Sequence, residues 1–408
     1  MPPLKELVMI KVAGRDKPGI TAALTDVLAR YDITILDIGQ AVIHRMLSLG
    51  ILIGYDVDAG PLFRDLLYAG HELGVKVRFK PVKPEEYSDW VSRQGKPRYI
   101  ITMLGRRLGS NALAKVTHAI AEQGMNIDDI VRLSGRVPLD KPDAVTYSCV
   151  EFMVRGEPSD PDGMRSTFLE LTSTLGVDVS FQRDDIYRRN RRLVAFDMDS
   201  TLIQVEVIDQ LAAAAGVGDK VASITERAMR GELDFAASFR ERLGLLKGLD
   251  ASVLEKIAEE LPLTEGAERL FKVLNALGFK TAIISGGFQY FGNYLKAKLG
   301  VDYVCANQLE VVDGKVTGEV QGRIVDAERK AEFLQEIAAQ EGIDLRQVIA
   351  VGDGANDLPM LRVAGLGIAF RAKPIVRERA GNALSVAGLD GILYLIGVRD
   401  RETLDAID

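Results

Sequence analysis

The stretch Leu193-Val194-Ala195-Phe196-Asp197-Met198-Asp199-Ser200-Thr201 constrains the fold of this chain most tightly. Four apolar residues without alternation give way at once to two aspartates two positions apart. A continuous apolar run of that length fits a parallel strand buried on both faces. Open α/β sheets carry their ligand chemistry at the carboxyl ends of such strands. Two later stretches repeat the design. Lys280-Thr281-Ala282-Ile283-Ile284 runs into Ser285-Gly286-Gly287, and Val348-Ile349-Ala350-Val351 runs into Gly352-Asp353-Gly354-Ala355-Asn356-Asp357. Three buried strands, each ending in small, hydroxyl or carboxylate residues, predict one shared polar site at the carboxyl edge of one sheet.

The chain is 408 residues long, enough for two or three domains. With 47% hydrophobic and 27% charged residues it has material for packed cores. A formal net charge of -7 argues against a general nucleic-acid binder. No apolar stretch approaches the ~18 residues of a membrane span. The start, Met1-Pro2-Pro3-Leu4-Lys5-Glu6, lacks the basic and apolar regions of a signal peptide, so a cytoplasmic protein is expected. Cys149 and Cys305 fall in apolar strand-like runs and read as buried, reduced thiols. The three histidines, His44, His71 and His118, have no metal-ligand spacing, so histidine-based catalysis is not expected.

The front of the chain reads as a duplicated module. Leu7 to Ala13 is strand-like, a helical pattern follows with Ile20, Ala23, Leu24, Val27 and Leu28 on one face, and strands are expected at Ile33–Ile38 and Leu49–Val57. A helix near Leu62–Leu73 and a strand at Val75–Phe79 complete a βαββαβ order. Pro81, Pro84 and Pro97 mark a linker or connecting helix. The order then recurs, and Met125-Asn126-Ile127-Asp128-Asp129-Ile130 mirrors Ile33-Thr34-Ile35-Leu36-Asp37-Ile38 at a spacing of 92 residues. Both copies resemble the ACT domain, an α+β module that binds amino acids, usually where two copies meet. The resemblance implies ACT-like domains at residues 1–82 and 97–183, an amino-acid effector such as serine, and a homodimer. In the first copy Asp16-Lys17-Pro18-Gly19 matches the turn that approaches the ligand, making Asp16 and Gly19 candidate effector residues. The same Pro-Gly pair would equally serve a plain strand-to-helix turn. The second copy departs from the pattern, since Gly105–Ser110 has neither the Asp nor the Pro-Gly.

From Asp197 onward four motifs occur in order: Asp197-Met198-Asp199-Ser200-Thr201, Ser285-Gly286-Gly287, Lys330, and Gly352-Asp353-Gly354-Ala355-Asn356-Asp357. Their order and content resemble the haloacid dehalogenase-like phosphatases. The resemblance implies a Rossmann-like α/β domain over residues 190–408. A carboxylate can attack phosphorus to form an acyl phosphate, dividing one hard step into two. Aspartate has a reference pKa near ~3.9, so Asp197 is expected to be ionised at neutral pH without a base. By the resemblance Asp197 is the nucleophile and Asp199 the proton donor and acceptor, a role that needs a pKa raised by about 2 to 3 units. Mg2+ is the implied cofactor, held by Asp197, Asp199 (through its backbone carbonyl) and Asp353, with Asp357 in support. Ser285 and the Gly286 amide would donate to phosphate oxygens, and Lys330 would add positive charge. Taken alone, Lys330 reads as a solvated helix lysine, because Asp326, Glu328 and Arg329 beside it are also charged.

Between the first two motifs lie about 80 residues of mostly helical pattern, the place of a helical cap at about 206–262. This stretch resembles the cap of phosphoserine phosphatases: Glu206 lies nine residues after Asp197, and Met229, Phe235 and Arg242 follow in matching contexts. In that family the Glu meets the substrate ammonium and the Arg its carboxylate, with Met229 and Phe235 as apolar walls. Asn356 is a further candidate for contact with substrate. The implied function is hydrolysis of O-phospho-L-serine, the last step of L-serine biosynthesis. Two alternatives stand beside it: a phosphatase or phosphotransferase acting on another small phosphorylated metabolite, and a non-catalytic amino-acid sensor.

Overall fold

The computed structural model describes residues 6–56, 58–92, 95–136, 139–140, 147–230 and 232–407. The chain forms two compact units, residues 1–96 and 97–408. In the first, β1 (Glu6–Arg15), α1 (Ile20–Arg30), β2 (Thr34–Ile43), β3 (Met46–Tyr55), α2 (Gly60–Glu72) and β4 (Val75–Val82) follow the βαββαβ order, and α3 (Pro84–Ser92) follows. The sheet is antiparallel with order β2-β3-β1-β4. Its core is self-contained: Ile10, Val12, Leu24, Leu28, Ile51 and Leu66 pack together. Every second residue of β1 faces that core, because side chains alternate along a strand.

The second unit opens with the repeat: β5 (Arg98–Gly105), α4 (Ser110–Glu122), β6 (Asn126–Arg132), β7 (Ser148–Arg155), α5 (Pro161–Leu175) and β8 (Val177–Arg183). Its sheet order, β6-β7-β5-β8, is the same. The duplication extends to an irregularity. β2 slips register between Ile35 and Asp37, and β6 slips at the matching Ile127 and Asp129.

After β9 (Leu193–Phe196) come four helices, α6 (Val207–Ala214), α7 (Gly218–Met229), α8 (Phe235–Gly244) and α9 (Ser252–Glu260), which lie between β9 and α10 (Ala267–Ala276). The rest follows as β10 (Lys280–Phe288), α11 (Gln289–Leu299), β11 (Tyr303–Val312), β12 (Lys315–Gln321), α12 (Ala327–Gln340), β13 (Val348–Gly352), α13 (Leu358–Val363), β14 (Leu366–Phe370), α14 (Pro374–Ala380), β15 (Ala383–Leu384), α15 (Gly391–Leu395) and α16 (Asp400–Ile407). The sheet has order β12-β11-β10-β9-β13-β14-β15. All four residues of β9 are fully buried, and the strand runs parallel to β10 on one side and β13 on the other. Chain connections diverge to either side of β9, the switch point where such sheets open a ligand crevice. Phe196 pairs with Ile283 and with Val351, so Asp197, Ser285 and Asp353 all fall just beyond the same edge.

The four-helix layer is tied down at both ends. Ile203 bridges Leu263 where the chain leaves and re-enters the sheet layer, and the loop before α9 bonds the β11–β12 hairpin through Gly248 N–H to Val316 O at 2.8 Å. The second βαββαβ module packs on the carboxyl-terminal part of the hydrolase through a shared apolar core, in which Leu104, Leu133 and Cys149 join Leu384 and Ile392, and through buried polar contacts. Asp178 accepts from the N–H groups of Ser385, Val386 and Ala387 at 2.8, 2.8 and 3.2 Å. Cys149 is buried as expected, but Cys305 is only half-buried.

Candidate active site

Asp197 ends β9 with its N–H on Val351 O at 2.9 Å, and its Oδ1 accepts from the Met198 N–H at 2.7 Å. The chain then turns sharply. Asp199 is extended (φ -67°, ψ 135°) and Ser200 is left-handed at φ 57°, a conformation that costs a non-glycine residue about 1 kcal/mol or more. Ser200 Oγ offsets this by donating to Glu206 Oε1 at 2.7 Å. Fully buried Thr201 donates to Asp353 Oδ1 at 2.9 Å, joining the first and last motifs. Asp199 Oδ1 accepts from the Val207 N–H at 3.3 Å, tying the acid to the first cap helix.

Lys330 sits on the first turn of α12, whose N-cap Asp326 accepts from the Arg329 N–H. It is 1% exposed. Its Nζ donates to Asp197 Oδ2 at 2.9 Å and to Asp357 Oδ1 at 2.7 Å. The solvated-lysine reading of this position is thereby overturned. The other Asp357 oxygen accepts from the Gly354 N–H at 2.9 Å.

Among the described residues Asp197, Asp353 and Asp357 bring one carboxylate oxygen each within 4.8 Å of the others. Burial, then the neighbouring Asp357, pushes Asp197 up, with Lys330 opposing. Burial and Asp357 push Asp353 up to about 6. Burial alone would lower Lys330, but the flanking Asp197 and Asp357 outweigh it and hold the ammonium above its usual range. Asp199 stands well above the carboxylate range, from burial, then Glu206, then Asp197. The Lys330 ammonium thus stands against three clustered carboxylates, Asp197, Asp353 and Asp357, which leaves a deficit of positive charge. That deficit and the all-oxygen donor set fit a hard divalent cation.

Ser285 is buried, and its Oγ accepts from the Gly287 N–H at 2.9 Å. Gly286 O accepts from Asn307 Nδ2 at 2.7 Å, which pins the turn. Gly287 is a residue that sequence reasoning left without a role. A Cβ there would lie 2.6 Å from Asp199 Oδ2, so only glycine lets β10 approach the second acid this closely. The second glycine of Ser285-Gly286-Gly287 was its signal. Ser200 and Thr201 were also missed as positioning residues, being ordinary polar residues until their partners are known.

These groups open into a cavity of about 460 Å³. Asp197, Asp199, Ser285, Gly286 and Asn356 line it from the sheet side, and Glu206, Phe235 and Arg242 from the cap. A Cβ on Gly286 would meet the Phe235 ring at 3.3 Å. Burial lowers the Arg242 pKa, with Asp209 and Glu206 opposing. Met229 ends α7, but its side chain lies outside the described residues. In the first unit Asp16 and Gly19 are both exposed. Gly19 precedes α1 at φ 92°, and beyond its chain neighbours no described atom lies within 4 Å of where its Cβ would be. The backbone conformation there demands glycine by itself.

A strand-end Asp-X-Asp under a helical cap, clamped by a buried lysine, defines a class. Residues 194–362 match the haloacid dehalogenase-like hydrolase family, and residues 6–80 and 98–182 each match the ACT domain. The chain is 43% identical to a phosphoserine phosphatase of Streptomyces coelicolor, over 98% of this chain and 94% of that protein. It is 41% identical to phosphoserine phosphatase SerB2 of Mycobacterium tuberculosis, over 100% of this chain and 96% of that one. A solved HAD family hydrolase of Salmonella enterica superposes with a TM-score of 0.63 at 33% identity, covering 74% of this chain and 98% of that one. The chain belongs to the phosphoserine phosphatase family of haloacid dehalogenase-like hydrolases, in a form with two ACT domains ahead of the hydrolase.

Proposed function

We propose that this enzyme hydrolyses O-phospho-L-serine to L-serine and phosphate through an aspartyl-phosphate on Asp197, as the last step of L-serine biosynthesis. The observation that carries the reading is one cavity holding a lysine-clamped Asp197 at one side and the opposite charges of Glu206 and Arg242 at the other. O-Phosphoserine has a phosphate, an ammonium and a carboxylate, and this arrangement offers each a partner. Phe235 and Met229 would wall the short carbon chain.

Asp197 attacks phosphorus, forming one P–O bond as the bond to the serine oxygen breaks. Asp199 gives its proton to that oxygen as it leaves. The same carboxylate then takes a proton from water, which attacks phosphorus and releases phosphate and free Asp197. The raised pKa of Asp199 supports its acid role. Ser285, the Gly286 amide and Lys330 steady the transferring oxygens, the main task in phosphoryl transfer. Asp197, Asp353 and the Asp199 backbone carbonyl would hold Mg2+, which when bound neutralises charge on the carboxylates and the phosphate. Asp357, its oxygens held by Lys330 and the Gly354 N–H, would support this shell.

Domains at 1–82, 97–183 and 190–408, with the cap at about 206–262, accord with the matched ACT and hydrolase segments and with the four helices after β9. Asp16 and Gly19 would contribute to an effector site for an amino acid such as serine. A cytoplasmic homodimer is the assembly this reading carries. The test is phosphate release from O-phospho-L-serine, O-phospho-L-threonine and p-nitrophenyl phosphate with and without Mg2+. A Mg2+-dependent preference for phosphoserine, reduced by Glu206→Gln and Arg242→Ala, is the expected result. A preference for substrates lacking the amino or carboxylate group would overturn it.

A further inference from the structure

Ser238 lies on α8 one helical turn before Arg242, lines the same cavity, and is 2% exposed. Its Oγ has no hydrogen-bond partner. Native proteins seldom leave a buried hydroxyl unpaired, because its lost hydration is not recovered. A helical serine or threonine usually has a local remedy in the carbonyl four residues back. Thr225 Oγ1 donates to Val221 O at 3.1 Å and Thr167 Oγ1 to Gly163 O at 3.0 Å in this way. Ser238 does not: Asp234 O receives the Ser238 N–H at 3.0 Å and nothing from its hydroxyl.

The next turn of the helix holds the complement. Arg242 Nε donates to Ser238 O at 3.4 Å, and the terminal guanidinium nitrogens bond no described residue. Residues four apart share a helix face. A carboxylate bound by the Arg242 fork has lone pairs left over, and the Ser238 hydroxyl is the neighbouring unused donor. An ammonium is the poorer match for the hydroxyl, since the Arg242 charge would repel it there.

We propose that Ser238 is a specificity-determining residue whose hydroxyl donates to the carboxylate of the phosphorylated amino acid beside Arg242. The proposal rests on the phosphoserine reading of the site. Ser238→Ala tests it through three readouts on the full chain with Mg2+: kinetics with O-phospho-L-serine, kinetics with p-nitrophenyl phosphate, and melting temperature. A hydrogen bond to a charged group corresponds to roughly tenfold to a hundredfold in affinity. The KM for phosphoserine should rise by that factor with kcat little changed. Turnover of p-nitrophenyl phosphate, which has no carboxylate, should not move. The melting temperature should hold or rise, because the variant removes an unpaired buried hydroxyl. An unchanged KM for phosphoserine, an equal loss on both substrates, or a lowered melting temperature with equal losses would overturn the proposal. Failure of the wild type to prefer phosphoserine would instead overturn the functional reading itself.

Discussion

Lys330 is buried between two aspartates at 2.9 and 2.7 Å. Removing one member of such a group leaves the others without compensation, at a cost of about 3 to 5 kcal/mol. Lys330→Met should lower stability by that order in chemical denaturation and reduce kcat by about 100-fold or more; a stability loss below about 1 kcal/mol would contradict the clamp. Gly287→Ala is the steric counterpart. Its Cβ would press on Asp199, so kcat should fall at least about tenfold while stability drops by about 1 to 3 kcal/mol. The two positions differ in how far sequence reveals them. Asp197 and Asp199 are visible because they end an unbroken apolar run. Lys330 looks like surface among its charged neighbours, and only its distant partners, Asp197 133 positions before it and Asp357 27 positions after it, make it a core residue. Gly287 has a reason only once β10 and the Asp199 turn are side by side.

The elements that sequence predicts best are those with the least ambiguous burial. β9, β10 and β13 are apolar throughout their inner parts and appear as parallel neighbours. β2 is expected to end at Ile38 but runs to Ile43. It is an edge strand, exposed along most of its length, so no burial pattern marks its extent. The seating of the second ACT domain on the hydrolase was equally hidden, since Leu104, Leu133, Tyr147 and Cys149 read in sequence as part of their own module's core, and the polar contacts are single residues. Glu265 illustrates this: its carboxylate accepts from Tyr147 at 2.7 Å, Arg371 at 3.0 Å and Arg106 at 3.2 Å. The Tyr147 hydrogen bond, followed by the arginines, outweighs burial and holds Glu265 below its ordinary value of 4.5. A depressed acid stabilises the fold above its unfolded pKa and loses that contribution as pH falls. The wild type should therefore melt above Glu265→Gln at pH 7, with the gap closing as pH drops below about 4.5. Partial exposure keeps the effect below about 1 kcal/mol. A gap that widened on acidification would refute the assignment.

At the scale of the whole molecule, two ACT domains precede a hydrolase whose proposed product is an amino acid. The duplication was legible from order and spacing alone, because each copy repeats the same alternation of buried and turn residues. The effector was not, because Asp16 and Gly19 are explained by turn geometry as well as by binding. If L-serine binds the ACT region, it should stabilise the chain even where the substrate pocket is impaired. In an Arg242→Ala background, serine at 100 times its Kd should add about 2.7 kcal/mol, seen as a rise in melting temperature. Serine that changes neither melting temperature nor wild-type activity would remove the regulatory reading.

The central claim is that phosphorus passes through Asp197. The most direct measurement is to quench the enzyme in acid during turnover of O-phospho-L-serine, reduce it with borohydride, and sequence the peptides by mass spectrometry. An aspartyl-phosphate is converted to homoserine by this treatment, so homoserine should appear at position 197, and at no position in Asp197→Asn. Normal turnover with unmodified Asp197, or with the label on another carboxylate, would contradict the account.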